Sequence, residues 1–205
     1  MRLGDLLAPW RPLVMWALRS LELSGEEEKL IRGFQFLSQK PMLFVLNIGE
    51  ADVPRMREIE EEFRGRVVSA HSGTAVTAIC GKIEAELAEL APEEAREYVA
   101  SYGLTESGLE RLISATYALL GLMSFLTAGE TEVRAWTIPM HSTAQKAAGA
   151  IHSDFEKKFI RAEVVNWQAL IDHNGYPGVR EKGLLRLEGK EYIVKDGDVL
   201  VIRHG

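Results

Sequence analysis

Two short β-prone runs, MLFVL at 42–46 and TAVTAIC at 74–80, each lie between stretches patterned at helical period, and this alternation restricts the fold more than any other feature of the chain. Strands that run parallel need a crossover between them, and a helix is the usual one. The flanking helices are legible. Ser24-Gly25-Glu26-Glu27 has the spacing of a capping box, and Leu30, Ile31, Phe34 and Leu37 follow as an apolar face that Pro41 ends. A charged helix, RMREIEEEFRGR, starts at Asp52 or Pro54 with Met56, Ile59 and Phe63 as its stripe. Lys82 opens another, with Ile83, Leu87 and Leu90 on one side. Further helices are predicted from Pro92 to about Gly103 and over 106–122, where Leu109, Leu112, Ile113 and Leu120 give an apolar face. Helix, strand, helix, strand, helix predicts an α/β unit with a parallel sheet.

At about Ala128 the texture changes. EVRAWTI reads as a strand, TAQKAAGAIHSDFEKKF as helical, and IRAEVV, LLRLEGKEYIV and DGDVLVIR as short strands, with a tight turn near Glu188-Gly189. That order predicts a small α+β domain of β-grasp type. The expected organisation is an N-terminal segment over 1–25, an α/β region with helices over 26–127, and the α+β domain over 128–205.

Composition narrows the function classes. The 205 residues are 46% apolar and 26% charged, as in an ordinary globular protein. No apolar stretch approaches the ~20 residues needed to cross a bilayer, and the N-terminus lacks the pattern of a secretory leader. A single cysteine, Cys80, excludes an internal disulfide and fits a cytoplasmic protein. The net charge of −6 sits in the first part: residues 1–127 hold 13 Lys+Arg against 19 Asp+Glu, and residues 128–205 hold 11 of each. Such a chain is a poor general polyanion binder, so no DNA or membrane partner is expected, and an RNA contact would be local.

The apolar run at 42–46 breaks at Asn47-Ile48-Gly49-Glu50. By itself this is a turn and helix cap, since asparagine favours both. The same spacing could also place an amide and a carboxylate at the rim of a nucleotide site. Phosphate binding of the usual kind needs GxxxxGK[ST]. Gly81-Lys82 and Gly189-Lys190 both fail it, because Ile83 and Glu191 follow them, and Val76 and Leu184 stand where the first glycine belongs.

From about Glu26 onward the sequence resembles the Obg-like ATPases of the YchF family. The blocks FLTAGETEVRAWTI, AAGAIHSDFEKKFIRAEVV and LRLEGKEYIVKDGDV look like that family's TGS domain, a ubiquitin-like β-grasp module. RGFQFLSQKPMLFVLNIGE resembles its approach to the base-recognition loop, where Asn-x-x-Glu replaces the Asn-Lys-x-Asp of GTPases. The resemblance implies the later part of a P-loop-type G domain followed by a TGS domain. It also implies a preference for ATP over GTP, since glutamate displaces the carboxylate that would take the guanine N1–H and amino group. By the same carry-over Asn47 would bond the purine edge, Ile48 would touch the base, Glu50 would hold the discriminating position, and Lys82 of Cys80-Gly81-Lys82 would lie beside the ring. The family's cofactors are ATP and Mg²⁺, and its phosphate-binding elements precede the base loop, whereas only about 40 residues precede it here. The chain is therefore expected to bind neither tightly, to have no catalytic residues of its own, and to have the missing N-terminal half of the G domain as a natural partner. The first 25 residues read as the tail of the family's helical insertion.

Other chemistry is thinly signalled. His71, His141, His152, His173 and His204 show no metal-ligand spacing, and His152-Ser153-Asp154 holds triad letters too close in sequence to converge. Cys80, which the resemblance could make a redox sensor in a redox-regulated family, reads more simply as a buried strand residue. Trp136 and Trp167 read as core. Lys157, Lys158 and Arg161 form one local basic cluster, either a ribosome or RNA contact or a solvated face. Two functions stay open: part of a ribosome-associated, nucleotide-binding ATPase, or a non-catalytic TGS module that binds ribosome, RNA or protein.

Overall fold

The computed structural model describes residues 23–67, 73–129 and 131–205. Most of the expected N-terminal segment, with His71, lies outside them. The chain divides into two compact units, Met1–Leu120 and Gly121–Gly205.

In the first unit, α1 (Gly25–Arg32) begins at the predicted box: Ser24 Oγ accepts from Glu27 N–H, and the Glu27 carboxylate accepts from Ser24 N–H at 2.9 Å. The helix stops at Arg32 rather than at Pro41. Gln35 turns the chain with φ of 49°, and the expected apolar face is exposed at Leu30, Phe34 and Leu37. β1 (Met42–Asn47) and β2 (Thr74–Ile79) pair in parallel, with Met42 opposite Thr74 and Asn47 opposite Ile79. A 3-10 turn over Glu50–Arg55 leads into α2 (Met56–Val67), and α3 (Gly81–Leu87), α4 (Pro92–Ser101) and α5 (Gly108–Leu120) follow β2. Pro92 fills the first helical position, as expected. Val53, Met56, Ala78, Cys80 and Ile83 form the core, with Leu46 and Ile48 against it.

Inside this unit, β2 is tied down by a side chain. Ladder bonds from Met42 and Ile48 N–H reach Gly73 and Ile79 carbonyls, so the even-numbered N–H groups of β2 face away from β1. Glu60, a buried carboxylate of α2, accepts from Ala78 N–H at 2.7 Å on that side and pairs with Arg111 of α5. Glu84 holds the start of α5 in the same manner, accepting from Gly108 and Leu109 N–H at 2.7 and 3.1 Å.

The second unit is a five-stranded mixed sheet in the order β4-β3-β7-β5-β6, formed by β3 (Leu122–Ala128), β4 (Val133–Pro139), β5 (Phe159–Asn166), β6 (Arg186–Glu188) and β7 (Asp198–His204). β3 and β7 run parallel; β3–β4, β5–β7 and β5–β6 are antiparallel. The division of the chain thus falls one strand earlier than 127/128. The helix expected over 106–122 ends at Leu120, because Gly121, at φ of 63°, stops α5 and lets the chain restart as β3, paired with β4. α6 (Ala144–Ile151) and α7 (Ser153–Lys157) split the predicted single helical stretch at His152, whose Nδ1 accepts from Asp154 N–H at 3.2 Å. That bond makes His152 a helix cap rather than part of a triad. α6 buries Ala144 and Ala147 against Phe125, Ala162, Val164 and Leu200 on one sheet face. α8 (Trp167–Asp172) and α9 (Tyr176–Glu181), which the sequence pattern did not reveal, cover Val165 and Val199 on the other. Trp136 packs on the core as expected, but Trp167 is 43% exposed.

Candidate functional site

The parallel register of β1 and β2 sets their C-terminal ends side by side, so the loop after Asn47 and the loop after Ile79 meet. Crevices at the carboxyl ends of parallel strands are where α/β sheets bind ligands. Ile48 N–H closes the ladder onto Ile79 carbonyl at 2.9 Å. Asn47 Oδ1 accepts from Gly81 N–H at 3.0 Å. Gly81 is the first residue of α3, so the asparagine satisfies one of the helix's unpaired donors. A Cβ on residue 81 would stand 3.2 Å from Asn47 Oδ1, which is why glycine fits there. With its oxygen engaged, the Asn47 amide keeps its NH₂ as a donor toward the rim.

Beside it lies a chain of charged and phenolic groups. Lys82 Nζ bonds Glu50 Oε2 at 2.6 Å, and Tyr102 Oη donates to Glu50 Oε1 at 3.1 Å. Tyr98 Oη stands 3.3 Å from Tyr102 Oη and donates to the Glu86 carboxylate, which is 3.9 Å from Lys82. The bond from Lys82, reinforced by that from Tyr102, holds Glu50 below the usual carboxylate range. The same bond raises Lys82. Bonding to Glu86 and Tyr102 pushes the Tyr98 phenol up. Both Glu50 oxygens are thus engaged within the protein.

The four residues expected at a base corner, Asn47, Ile48, Glu50 and Lys82, therefore come together. Ile48 is half-buried on the core beneath the loop, and Cys80 is buried at its edge. Sequence reasoning missed Tyr98, Tyr102 and Glu86. The i, i+4 spacing of the tyrosines on α4 was available, but nothing local ties them to Glu50.

The second expected cluster is drawn from two elements. Lys157 ends α7 and Lys158 caps it, whereas Arg161 lies on β5 past an irregularity in the β5–β7 pairing. Arg161 sits opposite Arg203 of β7. Next along β5, Glu163 accepts from Arg203 at 3.0 and 3.1 Å and from Arg180 of α9 at 3.3 Å. Burial opposes ionisation of Glu163, but the two arginines outweigh it and hold the carboxyl low. No group of three metal-ligating side chains occurs among the described residues, and no helix among them is long and apolar enough to cross a membrane.

A family model described as "YchF-GTPase_C: Protein of unknown function (DUF933)" matches residues 122–205. The chain is 45% identical over 183 residues to the Ribosome-binding ATPase YchF of Escherichia coli O157:H7, covering 89% of this chain and 50% of that protein. It is 45% identical over 185 residues to the protein of the same name from Bacillus subtilis (strain 168), covering 90% and 50%. The solved structure of the Schizosaccharomyces pombe YchF GTPase superposes with a TM-score of 0.70 at 28% identity, over 97% of this chain and 53% of that one. A GTP binding protein from Pyrococcus horikoshii OT3, 18% identical with a TM-score of 0.52, shares the fold over 82% of this chain and 47% of its own. The mixed α/β architecture is consistent with part of a G-domain-type fold. The chain spans about half the length of the curated relatives it matches, and over that half it is similar to proteins of the YchF family.

Proposed function

We propose that this chain carries the base-recognition corner and the ribosome-docking module of a cytoplasmic YchF-type ATPase, and that by itself it does not hydrolyse ATP. The Asn47–Gly81 hydrogen bond is the observation that carries this reading. It locks two loops at the carboxyl end of a parallel strand pair and leaves an amide donor for a purine ring nitrogen, with Ile48 beneath the base and the Lys82 stem beside it. Glu50, engaged on both oxygens by Lys82 and Tyr102, offers guanine no free carboxylate for its N1–H and amino group, which favours adenine. The residues present fit a purine. They do not fit its phosphates or Mg²⁺, since the sequence has no GxxxxGK[ST] to wrap the one or ligate the other.

Without that grip a base contact yields about millimolar affinity at best. Titration of the chain with labelled ATP and GTP in the presence of Mg²⁺ tests the site. Weak binding, stronger for ATP and lost in Asn47→Ala, is expected; submicromolar affinity, or phosphate release that disappears in Asn47→Ala, overturns it.

The second unit reads as a β-grasp, ubiquitin-like TGS module. Its support is the strand order β4-β3-β7-β5-β6 with a parallel central pair and α6 on one face. The relatives from Escherichia coli O157:H7 and Bacillus subtilis are named ribosome-binding ATPases, and the contact proposed for this chain is a ribosome or RNA surface met by basic residues among Lys157, Lys158 and Arg161. Burial of Cys80 beneath the base corner favours a packing role for it over a redox one.

A further inference from the structure

Arg161 of β5 and Arg203 of β7 are direct partners across an antiparallel pair, where opposed Cβ atoms stand only about 4.5–5.5 Å apart and like charges repel. Both point to the face away from α6, because their strand neighbours Ala162 and Ile202 belong to the core on the α6 side. Arg180 reaches the same place from α9. Glu163, on the same face of β5 as Arg161, is the carboxylate that Arg203 and Arg180 share. The side chain of Arg161 is exposed and makes no hydrogen bond or ion pair among the described residues. Two guanidinium groups thus meet one carboxylate and a third, Arg161, stands opposite Arg203 without one, an excess of two positive charges in a chain whose net charge is −6. The side chains of Arg180 and Arg203 are 57% and 50% exposed, so the pairs with Glu163 orient them without hiding them.

We propose that Arg161, Arg180 and Arg203 form a phosphate-binding cluster that takes the sugar–phosphate backbone of RNA, with Glu163 as the positioning residue that holds two of the forks. The proposal rests on the ribosome-docking reading above and assigns it to this sheet face rather than to the end of α7. A polyanion relieves the Arg161–Arg203 repulsion and meets guanidinium forks that match phosphate oxygens in pairs. Backbone contacts of this kind are indifferent to base sequence and steeply dependent on salt.

The test uses the 205-residue chain, sedimentation with purified ribosomes, and anisotropy of a fluorescein-labelled single-stranded RNA across a salt series. Arg161→Gln/Arg203→Gln should weaken binding about tenfold and flatten the log K against log salt slope by about 1 per arginine removed. Arg161→Gln alone should weaken RNA binding while raising the thermal midpoint, since it removes a like-charge neighbour and breaks no pair. A merely structural arginine would lower both. Binding unchanged in the arginine variants, or lost only in Lys157→Gln/Lys158→Gln, overturns the cluster and leaves the ribosome-docking reading standing. Absence of ribosome and RNA binding by the unaltered chain at low salt sinks both. Competition by polyglutamate as strong as that by unlabelled RNA overturns the RNA assignment in favour of an acidic protein.

Discussion

The two units meet the problem of burying a sheet unequally. In the second, five strands carry helices on both faces, and Phe125, Val164, Val165, Val179, Val199 and Leu200 are fully buried. In the first, the described residues supply a single parallel pair, and Ile83 is that unit's one member among their largest fully buried side chains. Parallel strands are ordinarily covered on both faces and paired on both edges, and two strands alone are marginal. Here Val45 on β1 is 40% exposed, and Leu37, Leu109 and Ile113 also face solvent. The Asn47–Glu50 corner is thus tied by the Asn47–Gly81, Lys82–Glu50 and Tyr102–Glu50 bonds on a unit whose hydrophobic support is thin. Local geometry and autonomous stability are separate properties, and this chain separates them.

The strongest way to break that comparison is to damage the better core. Phe125→Ala removes a fully buried ring from the α6 side of the sheet and should cost about 3–5 kcal/mol. Hydrogen exchange followed by mass spectrometry should show protection lost over 121–205 and retained over β1 and β2. Loss of protection in both units together would mean that they unfold as one, and the contrast between them would vanish.

A smaller effect probes what the first unit uses in place of more strands. Arg111→Ala leaves the Glu60 carboxylate buried without its cation, and breaking such a pair costs about 3 kcal/mol. Glu60→Gln, which keeps an acceptor for Ala78 N–H, should cost less. Urea midpoints of the first-unit transition order the two variants, and equal costs would show that the loss of charge rather than the strand bond matters.

What could be read from residues alone follows the range of the forces involved. The capping box at Ser24, the end of β1 at Asn47 and Pro92 at the start of α4 are set by neighbours within a few positions, and all are present. The end of α1 was misplaced because Leu30, Phe34 and Leu37 keep helical spacing past the point where Gly33 and Gln35 release the helix. β3 was hidden because LMSFLTA continues the apolar texture of α5, and only pairing with β4 and β7 makes it a strand. The proposed base corner was legible as four residues on two loops. Its Tyr102–Glu50 bond spans 52 positions and the Glu60–Ala78 bond 18, and no local pattern encodes either.

The smallest expected effect compares one carboxylate from each unit. Glu50 and Glu163 both titrate below their ordinary value of 4.5, the first through Lys82 and Tyr102, the second through Arg203 and Arg180 against the cost of burial. A depressed carboxyl stabilises the fold fully above its unfolded pKa, and that contribution is lost as pH falls through the folded one. Both units should therefore weaken on acidification below about pH 4.5. Lys82 adds a second limit to the first unit alone: its raised pKa keeps its contribution complete below 10.5, and that contribution is lost as pH rises through the folded value. Carboxyl-carbon NMR titration should return Glu50 toward its ordinary value in Lys82→Met and leave Glu163 unmoved, while Arg203→Met does the reverse. An ordinary midpoint for Glu50 in the unaltered chain would mean that Lys82 does not hold it in solution. Its carboxylate would then be free to accept from guanine, and the proposed preference for adenine would lose its physical basis.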